Sequence, residues 1–102
     1  MPKTNPKERK YEMYEAILQL KDLDECCRFF DDLCAVTELR AIEQRYEVAV
    51  MLTEGKVYTD IMEKSKASSA TISRVKRALH YGTGCLAEVI ARVSQAKNKT
   101  EE

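Results

Sequence analysis

Residues 58–80, YTDIMEKSKASSATISRVKRALH, constrain the fold of this chain more than any other segment. Ile61 lies on a first short helix, Ala67 closes a tight turn, and Ile72, Val75 and Leu79 recur at i, i+3 and i+7 along a second helix. Residues so spaced share one side of a helix and pin the pair together. At about 100° per residue, Ala70, Ser73, Arg74 and Arg77 fall on the other side, where nothing apolar competes for the surface. Small hydroxyl and methyl groups near a helix start can approach base edges, and guanidinium groups farther along can bind phosphate or guanine. The segment reads as a helix-turn-helix whose second helix suits a major groove.

Charge singles out the same region. Residues 56–80 hold Lys56, Lys64, Lys66, Arg74, Lys76 and Arg77 against Asp60 and Glu63, a local net charge of +4. Residues 1–55 carry −4 and residues 81–102 balance, so a chain of formal net charge zero is strongly divided. Overall neutrality argues against indiscriminate coating of nucleic acid, while a local cationic element still neutralises a few phosphates per subunit. Binding of that kind is modest per subunit and steeply salt-dependent.

A chain of 102 residues makes one domain and, folded alone, leaves a sizeable share of its apolar surface unburied. A second copy would cover it. No run of about 18 apolar residues occurs, so no membrane span is expected. The start, MPKTNPKERK, lacks the apolar stretch of a signal peptide, which leaves the cytosol as the expected location. The four cysteines, Cys26, Cys27, Cys34 and Cys85, show neither a disulfide framework nor zinc-ligand spacing. They are expected to behave as small hydrophobes, with no metal.

Helical periodicity organises the rest into about six helices in an all-α fold, and no strand pattern survives. Tyr11–Leu23 forms the first helix, with Tyr14, Ile17 and Leu18 on one stripe. A second begins near Asp24 as N-cap and is apolar around much of its circumference through Cys26, Cys27, Phe29, Phe30, Leu33 and Cys34, which favours a subunit interface. Thr37 is expected to cap the third, which carries Leu39, Ile42, Tyr46, Ala49, Val50 and Leu52 until Gly55 stops it at C′. Thr59 and Ser68 are expected to cap the two motif helices, and a last helix runs from about Cys85 to Gln95. The organisation is thus a single helical domain over 11–96, its motif at about 58–80, between disordered tails at 1–10 and 97–102.

Two positions fit the motif poorly. The turn entry, where the backbone often goes left-handed, is Lys66 rather than glycine, which costs of order 1 kcal/mol. The site after Ile61, usually small so that the helices can close, is Met62; either the crossing opens or the flexible side chain bends away. His80 has no catalytic constellation beside it, and Gly82-Thr83-Gly84 follows a helix rather than a strand, so it reads as a flexible connection and not a phosphate loop. No catalytic residue is expected.

From Leu33 to Ile90 the chain resembles the Trp-repressor-like family, in particular its YerC/YecD-type members. The likeness lies in TELRAIEQRYEVAVML, the Gly55 break, ATISRVKRAL and the YGTG connection, with ATISRV its most specific part. The resemblance implies an intertwined homodimer whose N-terminal helices interlock with those of the partner and whose two helix-turn-helix units face successive major grooves. It implies DNA contacts at Thr59, Ser68, Ser69, Ala70 and Ser73, with the motif departing at Met62. It also matches Arg45 and Arg74 to the arginines that sandwich the corepressor indole in the Trp repressor, with Thr71 beside that pocket. Two departures stand against this ligand. A pocket threonine is Ala35 here, and the glycine that leaves room for the ring is Val75, so tryptophan is not expected to bind.

The resulting expectation is a homodimeric, sequence-specific transcriptional regulator of double-stranded DNA, a repressor, with no cofactor. Ser69, Ala70 and Ser73 would read bases while Lys66, Arg74, Lys76 and Arg77 hold phosphates. The alternative, motivated by Lys66 and Met62, is a helical dimerisation or adaptor protein of the same fold with little DNA affinity.

Overall fold

The computed structural model describes residues 8–101, with side chains through residue 98. Six helices follow one another: α1 Tyr11–Ile17, α2 Leu23–Leu33, α3 Val36–Thr53, α4 Tyr58–Ser65, α5 Ser69–Tyr81 and α6 Cys85–Glu101. No strand occurs among the described residues, so the all-α expectation holds. By packing, the chain divides into two compact units, the first ending at Leu39 and the second starting at Arg40. The reason lies in burial. Every buried apolar side chain among the described residues belongs to the second unit, and α1 and α2 bury none.

In the first unit, α1 is shorter than the apolar spacing predicts. It ends at Ile17, and Leu18, expected on its apolar stripe with Tyr14 and Ile17, lies beyond the helix and is 81% exposed. The chain turns there because a strong helix start follows immediately. Asp22, not Asp24, is the N-cap of α2: its carboxylate accepts from the Glu25 N–H at 2.8 Å, and the Glu25 carboxylate accepts from the Lys21 N–H at 2.9 Å. These reciprocal bonds resemble a capping box and satisfy donors that a helix start leaves free. Asp24, displaced into the first turn, instead pairs with Arg28 one turn on. Phe29 and Phe30 meet edge to face, ring centroids 5.3 Å apart, and both are half-buried. Helix α3 starts at Val36, before the expected cap Thr37, and the Glu38 carboxylate accepts from the Ala35 N–H at 2.7 Å. Residues 1–7 of the expected N-terminal tail lie outside the described residues.

The second unit holds the core: Val48, Ala49 and Met51 of α3, Ile61 of α4, Ala67 of the turn, Ile72 and Val75 of α5 and Ile90 of α6. Of the α3 residues expected to face it, Ala49 is buried and Val50 and Leu52 pack partly against it, while Ile42 and Tyr46 stay 48% and 40% exposed. Apolar side chains surround much of α3, so its own periodicity does not choose a face; contact with the motif helices and α6 buries Val48 and Met51 instead.

Gly55 ends α3 as expected. Its φ of 81° lets the Lys56 N–H reach the Met51 carbonyl at 3.1 Å and its own N–H reach Leu52 at 3.1 Å, the paired bonds of a Schellman stop. Gly82 is required for a different reason, since a Cβ there would lie 2.4 Å from the Ala78 carbonyl oxygen. Far from a loose connection, residues 82–84 are a shaped junction: the Gly82 N–H bonds Ala78, and the Thr83 hydroxyl accepts from the Cys85 N–H at 3.2 Å. Helix α6 runs on to Glu101, past the expected end near Gln95 and through residues assigned to a disordered tail. Ala96 and Lys97 are residue types of high intrinsic helix propensity.

Candidate nucleic-acid interface

The two motif helices close in the way their apolar residues dictate. Ile61, Ala67, Ile72 and Val75 are buried and Leu79 packs against them. Lys66, at φ 65° and ψ 14°, takes the left-handed conformation that the turn demands despite its side chain, and donates its N–H to the Met62 carbonyl at 2.9 Å. Met62 itself is exposed, so it bends outward and the crossing need not open to admit it.

Two polar residues that sequence reasoning missed fix the turn. The buried Ser65 hydroxyl donates to the Ile61 carbonyl at 2.6 Å and accepts from the Ala67 N–H at 3.1 Å, covering backbone groups that would otherwise be buried unpaired. From α3, the Gln44 side-chain amide donates to the Ser65 carbonyl at 3.1 Å and ties the turn to the core helix. A serine in the last position of a helix carries a faint signal of the first role. Nothing local to Gln44 points to the second.

At the start of α5, Ser68 is the N-cap as expected, its hydroxyl accepting from the Thr71 N–H at 3.1 Å. That of Thr59 is not: α4 begins at Tyr58 after Val57, which makes no side-chain cap, and Thr59 is an exposed residue of the first turn. Ser69, Ala70, Ser73, Arg74, Lys76 and Arg77 are all exposed along α5. Ser69 and Ser73 spend no side-chain hydrogen bond on any described residue, which leaves both hydroxyls available. The ion pairs among the described residues are Arg28–Asp24 and Arg92–Glu88. Among the described residues, therefore, no carboxylate lies at ion-pair distance from any of the six cations of residues 56–80. Lys76 has a ring partner, its ammonium lying 5.8 Å from the centroid of the half-buried Tyr58 ring.

The expected pocket residues do come together. Arg45, Thr71 and Arg74 line a cavity of about 270 Å³ with Ala41, Gln44 and Ala70. Arg45 and Arg74 also border a second, more apolar cavity of about 390 Å³ walled by Ile42, Tyr46, Val75, Ala78 and Leu86. Val75, 5% exposed, belongs to the core and to the wall of this cavity at once. Ala35 falls in the first unit. Among the described residues no group of three or more His, Cys, Asp or Glu is placed to hold a metal ion, and no helix is long and apolar enough to cross a membrane.

These features define an all-helical protein built on a helix-turn-helix with a cationic, exposed second helix. Comparison with known proteins agrees: the chain belongs to the Trp repressor protein family, which it matches over residues 9–94. It is 47% identical over 89 residues to the uncharacterized protein YerC of Bacillus subtilis (strain 168), spanning 87% of this chain and 86% of that one. Two solved structures share the fold. A candidate Trp repressor from Staphylococcus aureus superposes with a TM-score of 0.79 at 44% identity, over 81% of this chain and 83% of that one. A TrpR-like protein from Eubacterium eligens ATCC 27750 gives 0.79 at 49% identity, over 81% and 86%.

Proposed function

We propose that the protein is a sequence-specific DNA-binding transcriptional regulator, a repressor, acting in the cytosol as a homodimer through α4 and α5. The observation that carries this reading is the outer face of α5. Ile72 and Val75 are drawn into the core, so Ala70, Ser73 and Arg77 are left outward, uncovered and without a neutralising carboxylate. In the reading, Ser69, Ala70 and Ser73 meet base edges, while Lys66, Arg74, Lys76 and Arg77 meet phosphates, with Thr59 and Ser68 at the flanks. Ser68 contributes chiefly by fixing the start of α5, since its hydroxyl is already engaged with Thr71.

The homodimer is supported by the first unit, where Tyr14, Leu18, Leu23, Leu33 and Val36 all stay exposed. Exposed apolar side chains in such density mark an interaction surface. The alternative is an adaptor of the same fold with little DNA affinity; the exposed Met62, which leaves the motif crossing unhindered, favours the DNA reading. No tryptophan corepressor is included in the reading: Val75 supplies bulk to the wall of the cavity that Arg45 and Arg74 border. Selection of bound sequences from a random duplex library, at low salt, tests the proposal. Enrichment of one two-fold-related motif is expected, and recovery of unenriched sequence would contradict it.

A further inference from the structure

We propose that Tyr58 is a positioning residue for DNA binding: its ring holds the Lys76 ammonium in place for a backbone phosphate. The inference rests on the DNA-binding reading above and adds to it a residue that the motif alone does not assign. Tyr58 is the first residue of α4, half-buried and packed against the core, so its ring has little freedom. Lys76 lies one turn after Ile72, on the flank of α5 nearest α4, and its ammonium stands 5.8 Å from the ring centroid. Among the described residues no carboxylate lies at ion-pair distance from it. A ring face attracts an ammonium through its quadrupole yet leaves the cation's outer N–H donors uncovered. The contact therefore does not consume the charge, as an ion pair with Asp or Glu would.

The benefit is entropic. A free lysine side chain samples many rotamers and loses that freedom when it grips a phosphate. A ring that already restricts the stem removes part of the loss before DNA arrives. Lys66 has no such support, and neither Arg74 nor Arg77 stacks on a ring among the described residues. Lys76 is accordingly the pre-set cation of the surface.

A double-mutant cycle on the full chain tests this, using Tyr58→Leu, Tyr58→Phe, Lys76→Gln and the combinations with Lys76→Gln. The readout is the Kd for a random-sequence duplex at several salt concentrations. Tyr58→Phe should keep wild-type affinity, and Tyr58→Leu should weaken binding about threefold. In the Lys76→Gln background Tyr58→Leu should change nothing, and Lys76→Gln should lower the salt slope by about one while Tyr58→Leu leaves it alone. An equal loss from Tyr58→Leu in both backgrounds makes the ring merely structural and overturns the proposal. Failure of the wild-type chain to bind any duplex overturns the DNA reading with it, so the two failures are distinguishable. Should Tyr58→Leu not fold, the wild-type protein still decides: ring currents must shift the Lys76 ε-methylene protons upfield in its NMR spectrum, and unshifted protons refute the contact.

Discussion

Thr71 closes the cap of α5 and lines the two-arginine cavity at the same time. Its N–H and hydroxyl both bond the Ser68 hydroxyl, at 3.1 Å each, while its side chain shares the cavity wall with Arg45 and Arg74. The start of the helix proposed to read DNA is thereby fastened to a wall of that cavity. Replacing Ser68 with alanine removes the cap and should cost about 1 kcal/mol of stability, measured by urea unfolding, with a larger loss in duplex affinity than stability alone explains. An affinity loss no greater than the change in folded population would show that α5 keeps its geometry uncapped.

Arg77→Ala should weaken binding on every duplex and lower the salt slope by about one, since the role proposed for Arg77 is a phosphate contact. Ser73→Ala should instead redistribute sequence preference. Equal losses for both variants on selected and random duplex would contradict these roles.

Lys66 separates stability from binding. Its φ of 65° is a conformation glycine adopts freely, so Lys66→Gly should raise stability by up to about 1 kcal/mol while weakening duplex binding through the lost cation. Denaturation and anisotropy on the same preparation read both effects. Stability and affinity moving in the same direction would deny Lys66 a contact of its own.

Tryptophan should leave the melting temperature unchanged. A ligand present at a hundred times its Kd would add about 2.7 kcal/mol of stability, an easily seen shift. A saturable rise with tryptophan would mean that the cavities bordered by Arg45 and Arg74 admit the indole despite Val75.

Leu33→Asp should convert the proposed dimer into a monomer in sedimentation experiments. Leu33 ends α2, is more than half exposed, and lies beside Phe29 and Phe30 in an element that buries no residue within its own chain. Loss of helical signal without change of mass would assign Leu33 to folding rather than association.

Local patterns in the chain were enough to place the motif. The i, i+3, i+7 spacing of Ile72, Val75 and Leu79 determines which face of α5 turns inward, and Gly55 and Ser68 mark helix ends through short-range bonds that any neighbouring structure leaves intact. Positions governed by competition between neighbours were beyond it. The early stop of α1 depends on the Asp22–Glu25 cap outcompeting a continuing helix, and the face that α3 buries depends on what packs against it, since Ile42 and Tyr46 are as apolar as Val48 and Met51. The Gln44–Ser65 bond and the Tyr58–Lys76 contact join residues 21 and 18 positions apart, and the meeting of Arg45 with Thr71 and Arg74, 26 and 29 positions away, was legible through the family resemblance alone. Periodicity carries no information over such separations, because it fixes directions within one helix while only packing fixes one helix against another.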